Sequence, residues 1–260
     1  MKNIVWGIVC LLLCTSIGNV AMGEEKRNLN IVFIGNSITQ GALLEDPAHE
    51  APPVQATLFL AKQPDVGAVK FSNQGVSGCT TTDYLPQTET LFPKAVAAAG
   101  QFKDETWATL IFSIMLGTND SAIVGPNGAP ASPAKYYENM RAIIDQLLAL
   151  FPDCKVVLQR PVWYSPNTYN GAKYMEEGLN RLQSYYPEIQ SLVLDYSKRF
   201  PGQVFMGDSD GFDYFKTNYL TDLRPEDGNA GTFYLHPNKK GATVLGQFWG
   251  KSIYKVINSL

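Results

Sequence analysis

The chain is sparing with several residue types that announce particular functions. Among 260 residues the formal net charge is only −3, and no run of Lys or Arg stands out. A surface built for a phosphate backbone or an anionic membrane needs concentrated positive charge, so nucleic acid is not expected as a partner. The apolar run from Ile4 to Leu13 is too short to span a bilayer comfortably. No internal repeat and no low-complexity tract occurs. Of four cysteines, Cys10 and Cys14 fall near the N-terminus, leaving Cys79 and Cys154. Two cysteines so far apart make a weak case for a disulfide, even in an exported chain, and are expected as small buried residues. Histidine is the scarcest functional residue, present only as His49 and His236.

The first 23 residues form a separate object. Lys2 precedes the apolar run, and Ala21 and Gly23 are the small residues of a cleavage before Glu24. That is the pattern of a secretory signal, which directs the mature chain outside the cytoplasm, secreted or periplasmic. Lipid anchoring at Cys14 is disfavoured, because "LLLC" lacks the small residue expected just before such a cysteine. No stable membrane insertion is expected after removal of the signal.

From Glu24 to Leu260 the chain reads as one domain of alternating elements. "LNIVFIG", "AVKFSN", "TLIFSIMLG" and "KVVLQRPV" are short, apolar and β-branched, as buried strands are. "QVFM" near Gln203 adds a fifth, shorter one. Helical patterns lie between and after them: "VQATLFLAKQ", "PAKYYENMRAIIDQLLALF", "GAKYMEEGLNRLQSYY" and the C-terminal "NKKGATVLGQFWGKSIYKVINSL". Alternation with right-handed crossovers predicts a three-layer α/β/α sandwich around a mostly parallel five-stranded sheet, flavodoxin-like in plan.

Ligands of such a sheet sit beyond the carboxyl ends of its strands. The residues found there are Gly35-Asn36-Ser37 after the first strand, "NQGVSG" (Asn73 to Gly78) after the second and "GTND" (Gly117 to Asp120) after the third. His236 stands in "LHPN" near the C-terminus. A serine, a histidine, a side-chain amide and a glycine N–H are the parts of an acyl-transfer site.

On these blocks the chain resembles the SGNH hydrolases, also called GDSL-type esterases, over nearly the whole mature length and in the right order. The resemblance implies Ser37 as nucleophile, Gly78 and Asn119 as oxyanion donors and His236 as general base, with no metal and no cofactor. Two departures stand out. Asn36 replaces the usual acid of the first block, and Phe233 occupies the place, before His236, of the Asp that would orient the imidazole. The orienting group is therefore open among Asp227, Glu226, the more distant Asp222 and a backbone carbonyl of the loop from Asp227 to Leu235. The carbonyl, giving a Ser–His pair without an acid, is the expectation.

Simpler readings compete. Ser37 suits a helix cap, and Asn119 a turn. "NDS" at Asn119 fits the short N-glycosylation pattern, and His49 reads as a solvated loop residue near the nucleophile strand. "GDSDG" around Ser209 mimics the nucleophile elbow of a different hydrolase fold, but the strand before it is short and no clear helix opens after it. The expected activity is removal of a short acyl group, acetyl foremost, from a small-molecule or polysaccharide ester. Aromatics at Trp163, Tyr164, Tyr169, Tyr174, Phe212, Tyr214 and Phe215 are candidate sugar platforms. A lipid acylhydrolase or thioesterase, or a catalytically inactive glycan-binding protein, are the alternatives. Mass spectrometry of the exported protein should find Glu24 as the first residue; a lipidated Cys14 or an intact Met1 would contradict the signal reading.

Overall fold

A computed structural model describes residues 26–259. The expected signal segment and its cleavage point lie outside the described residues. The sheet is built from β1 (Arg27–Gly35), β2 (Val66–Gly75), β3 (Ala108–Met115), β4 (Lys155–Leu158) and β5 (Val204–Met206). All pairings are parallel and the order is β2-β1-β3-β4-β5. From Ile31 to Ile34 in β1 and from Ile111 to Met115 in β3, only Ser113 is polar, and every side chain is buried. A central parallel strand is covered on both faces, which is why these segments read as unbroken apolar runs. β2 is an edge strand and is not buried as expected. Its Lys70 is exposed and reaches Glu105 at 2.7 Å.

Helices α1 (Ser37–Gln40), α2 (Pro47–Glu50) and α3 (Pro52–Leu60) join β1 to β2. α4 (Phe92–Gly100), which the sequence reading passed over, joins β2 to β3. α5 (Pro133–Leu150) and α6 (Met175–Arg199) follow β3 and β4, and α7 (Gly211–Asp222) follows β5. The step from β1 to β2 runs opposite to all later steps along the sheet, so the right-handed rule puts its helices on the other face from α4, α5 and α6. α3 packs on the last helix, α8 (Lys239–Ile257), and α5 packs on α6. Tyr136 of α5 stacks on Tyr185 of α6, ring centroids 4.2 Å apart.

The start of α5 follows from sequence: the Ser132 hydroxyl accepts from Lys135 N–H at 3.2 Å and Pro133 sits in the first turn. α6 runs through Pro187, where the sequence pattern stopped. Its apolar stripe, Leu182, Tyr185, Ile189, Leu192 and Tyr196, stays in phase and buried across the proline, and this packing holds the helix together. No helix among the described residues is long and apolar enough to cross a membrane.

A helix does open after Ser209, contrary to expectation. The Asp208 carboxylate accepts from Asp210 N–H at 3.0 Å and Gly211 N–H at 3.1 Å, and so receives the first amides of α7. Burial pushes the Asp208 carboxyl up from 3.8 to about 6, against the backbone donors that lower it. A carboxyl raised on folding adds stability that is complete below its unfolded pKa and is lost as pH rises through the folded one. Asp208→Asn keeps an acceptor and removes this dependence. Urea unfolding at pH 4 and pH 7 should show the wild type losing about 1–3 kcal/mol more than the variant over that interval. An equal loss in both would contradict the assignment.

Candidate active site

Four segments meet at the carboxyl edge of the sheet. β1 ends at Gly35, and the buried Asn36 caps α1, its Oδ1 accepting from Ile38 N–H at 3.0 Å. Capping therefore falls to Asn36, and the Ser37 hydroxyl is left free to face the cleft.

The turn after β2 is stitched to this corner. Val76 N–H donates to Gly35 C=O at 3.0 Å, and the Asn73 amide donates to Thr39 C=O at 2.9 Å. Gln40 Oε1 accepts from both the N–H (2.9 Å) and the hydroxyl (2.6 Å) of Ser77. A Cβ on Gly75 would lie 2.3 Å from Gln40 N, so only glycine lets the two segments approach this closely. Gly78 sits at φ 77°, in the left-handed region, with open space where a side chain would stand. Its N–H has no acceptor among the described residues.

Beyond β3, Asn119 is buried. Its Nδ2 donates to Cys79 C=O at 2.8 Å and its Oδ1 accepts from Tyr174 O–H at 2.6 Å. Neighbouring Asp120 is also buried and accepts from Thr81 N–H at 2.9 Å, tying this turn to the one that carries Gly78. Burial pushes the Asp120 carboxyl up to about 6.

The fourth segment is a hairpin that sequence reasoning took for a loop. β6 (Leu223–Gly228) and β7 (Gly231–Pro237) pair antiparallel, with Glu226 opposite Phe233. β7 is pinned from outside: Ser165 N–H donates to Tyr234 C=O at 2.9 Å and the Ser165 hydroxyl accepts from Tyr234 N–H at 2.8 Å. His236 Nε2 lies 2.9 Å from Ser37 Oγ. Its Nδ1 lies 2.9 and 3.0 Å from the two oxygens of Glu226, and its backbone N–H donates to the same carboxylate at 3.1 Å. Both side chains are nearly enclosed. A carboxylate only accepts, so Nδ1 carries the proton and Nε2 is the acceptor facing the Ser37 hydroxyl.

The expected backbone carbonyl is thus corrected. The orienting group is the Glu226 carboxylate, on the strand facing the position where Phe233 replaces the usual acid. Asp227 is exposed and makes no bond to His236, because its register partner is Thr232. Asp222 is bound instead to Lys240 (2.6 Å), Thr221 (2.7 Å) and Tyr214 (2.6 Å).

The sequence profile described as "GDSL-like Lipase/Acylhydrolase family" matches residues 33–244. The chain belongs to this family. Solved structures agree on the fold. The carbohydrate acetylesterase of Sinorhizobium meliloti is 17% identical, with 88% of this chain and 99% of that chain covered and a TM-score of 0.57. The native aryl esterase of M. smegmatis gives 17%, 88%, 99% and 0.57. A two-domain esterase active on acetylated mannans gives 17% and 0.53, with 89% of this chain and 50% of that one covered. No curated protein sequence matches.

GDSL-like proteins generally hydrolyse esters, and all four residues implied by the resemblance, Ser37, Gly78, Asn119 and His236, line one cleft of about 500 Å³. Glu226, Tyr174, Leu43, Pro126, Asn170 and Ala172 also line it. Asn119 is too buried to serve as a glycosylation acceptor. His49 is exposed, 2.7 Å from Asp46, and does not line the cleft. Ser209 has no histidine partner; its hydroxyl points at Asp210, 3.5 Å away. Cys79 and Cys154 are free and buried. Among the aromatics, Trp163, Tyr164, Tyr174, Phe212 and Phe215 are buried, and the half-buried Tyr169 lines an adjoining depression that shares Asn170 and Gly171 with the cleft.

Proposed function

We propose that this GDSL-family chain is an exported serine esterase that releases short acyl groups, acetyl foremost, from carbohydrate. The observation that carries the proposal is the unbroken relay Glu226–His236–Ser37. A serine hydroxyl is a weak nucleophile until a base removes its proton. His236 Nε2, 2.9 Å away, takes it as Ser37 Oγ attacks the ester carbonyl. The oxyanion receives the Gly78 N–H, an Asn119 side-chain N–H and the Ser37 N–H. Collapse expels the alcohol, which takes the proton back from His236, and leaves an acyl group on Ser37. Water repeats the sequence to release the acid. Glu226 holds the imidazole in the working tautomer and stabilises its charged form.

The carbohydrate part of the proposal draws support from the fold shared with esterases of acetylated sugars and mannans. It also draws on the polar depression beside the cleft, bordered by Tyr169, Asp227 and Asn229. Export rests on the N-terminal pattern alone.

With p-nitrophenyl acetate, Ser37→Ala and His236→Ala should abolish most turnover, as expected of an enzyme and not of an inactive sugar-binding protein. Glu226→Gln should lower kcat by about 10³–10⁴-fold, and Asp227→Asn by less than about tenfold. A reversed ranking of the two acids would overturn the relay. In a chain-length series, acetyl esters should exceed octanoyl esters in kcat/KM; the opposite order would move the assignment to lipid acylhydrolase.

A further inference from the structure

The side-chain amide of Asn119 presents the same outline in two orientations, and only one offers a donor to an oxyanion. Its surroundings decide between them. One N–H of Nδ2 is committed to Cys79 C=O at 2.8 Å, and Oδ1 lies 2.6 Å from the Tyr174 hydroxyl. We infer that Tyr174 is a positioning residue: its phenol holds Oδ1 at the back of the site, so that the second N–H of Asn119 projects into the cleft. The inference rests on the esterase reading given above and adds a residue to it.

The amide rotated by half a turn would set Oδ1 against the Cys79 carbonyl, two acceptors face to face, and would turn oxygen toward the position of the oxyanion. The tyrosine adds to this preference because its hydroxyl has no hydrogen-bond partner but Asn119 among the described residues. Burial, helped by the nearby Asp120 and Glu226 charges, pushes the Tyr174 phenol up, so the hydroxyl remains a donor throughout the working range of a serine esterase. A donor on Oδ1 also polarises the amide and strengthens its N–H groups.

Tyr174 is itself held from several sides. The backbone N–H groups of Tyr174 and Met175 converge on Thr168 C=O at 3.2 and 3.1 Å. Met175, the first residue of α6, sits at φ 57°, in the left-handed region that a methionine adopts only under constraint. That turn directs the preceding ring inward, where it packs edge-on against Tyr164 at 5.4 Å. The Tyr164 hydroxyl is bonded to Ser121 Oγ at 2.8 Å. Two tyrosines from one segment thus grip both ends of the turn from Asn119 to Ser121. The resemblance singled out Asn119 but carried no signal for Tyr174, which reads in sequence as one more aromatic.

The test is a double-mutant cycle on turnover of p-nitrophenyl acetate, with Tyr174→Phe, Asn119→Ala and the pair, and with Ser37→Ala alongside. Tyr174→Phe should keep Tm within a few degrees and KM within about twofold while kcat falls about tenfold, as for an interaction realised in the transition state. In the Asn119→Ala background the same change should alter kcat by less than about twofold. An undiminished kcat in Tyr174→Phe, or an equal fall with and without Asn119, would overturn the inference while leaving the esterase reading intact. Wild-type turnover in Ser37→Ala would instead remove the esterase reading, and this inference with it.

Discussion

The chain of hydrogen bonds from Glu226 through His236 to Ser37 sets the demands that the rest of the molecule meets. Ser37 and His236 are 199 residues apart, and their side chains must stay within hydrogen-bonding reach. Each end is therefore fixed to a different rigid body. Ser37 opens α1 directly after the buried strand β1, at a corner closed by the Asn36 cap. His236 rides on a hairpin clamped between the Ser165 segment and the start of α8, where Asn238 caps the helix through Gly241 N–H at 3.0 Å. Glu226 contributes twice, because one carboxylate grips both the imidazole and the backbone N–H of the same residue.

The donors opposite Ser37 are held by the same logic. Gly78 and Asn119 come from different strand ends, and direct bonds join their turns, Asn119 to Cys79 and Asp120 to Thr81, while Val76 ties the Gly78 turn to Gly35 at the Ser37 corner. Preorganised donors need not reorganise when charge develops, and that is where their catalytic value lies. Much of the polar burial near the site makes sense as scaffolding for four small groups, namely two backbone N–H groups, one amide and one hydroxyl.

The strand ends were legible in the sequence because parallel strands buried on both faces leave unbroken apolar runs, and ligands collect where those runs stop. Ser37, Gly78 and Asn119 could be placed for that reason, whereas His236 was picked out by the resemblance and lies on a hairpin outside the parallel sheet. The hairpin was not legible. "RPEDGNAGTFYLHP" carries two prolines and two glycines, which read as a loop, and its pairing is set by contacts with the distant Ser165 and Tyr169. A shift of one residue in register decides whether Glu226 or Asp227 meets the imidazole, and no local pattern specifies such a shift. α7 was missed because its first amides are satisfied by Asp208, which lies before the apparent turn at Ser209. Most of the aromatics proposed as sugar platforms went to the core, since tyrosine and tryptophan serve packing as readily as recognition.

The central claim is that one serine, Ser37, is activated by this relay. An organophosphate probe reacts covalently with a serine whose proton is being removed, and peptide mass spectrometry then locates the adduct. The account predicts a single adduct on Ser37, formed far more slowly when Glu226 is replaced by Gln. Labelling at Ser209, or labelling of Ser37 at an unchanged rate without Glu226, would contradict it.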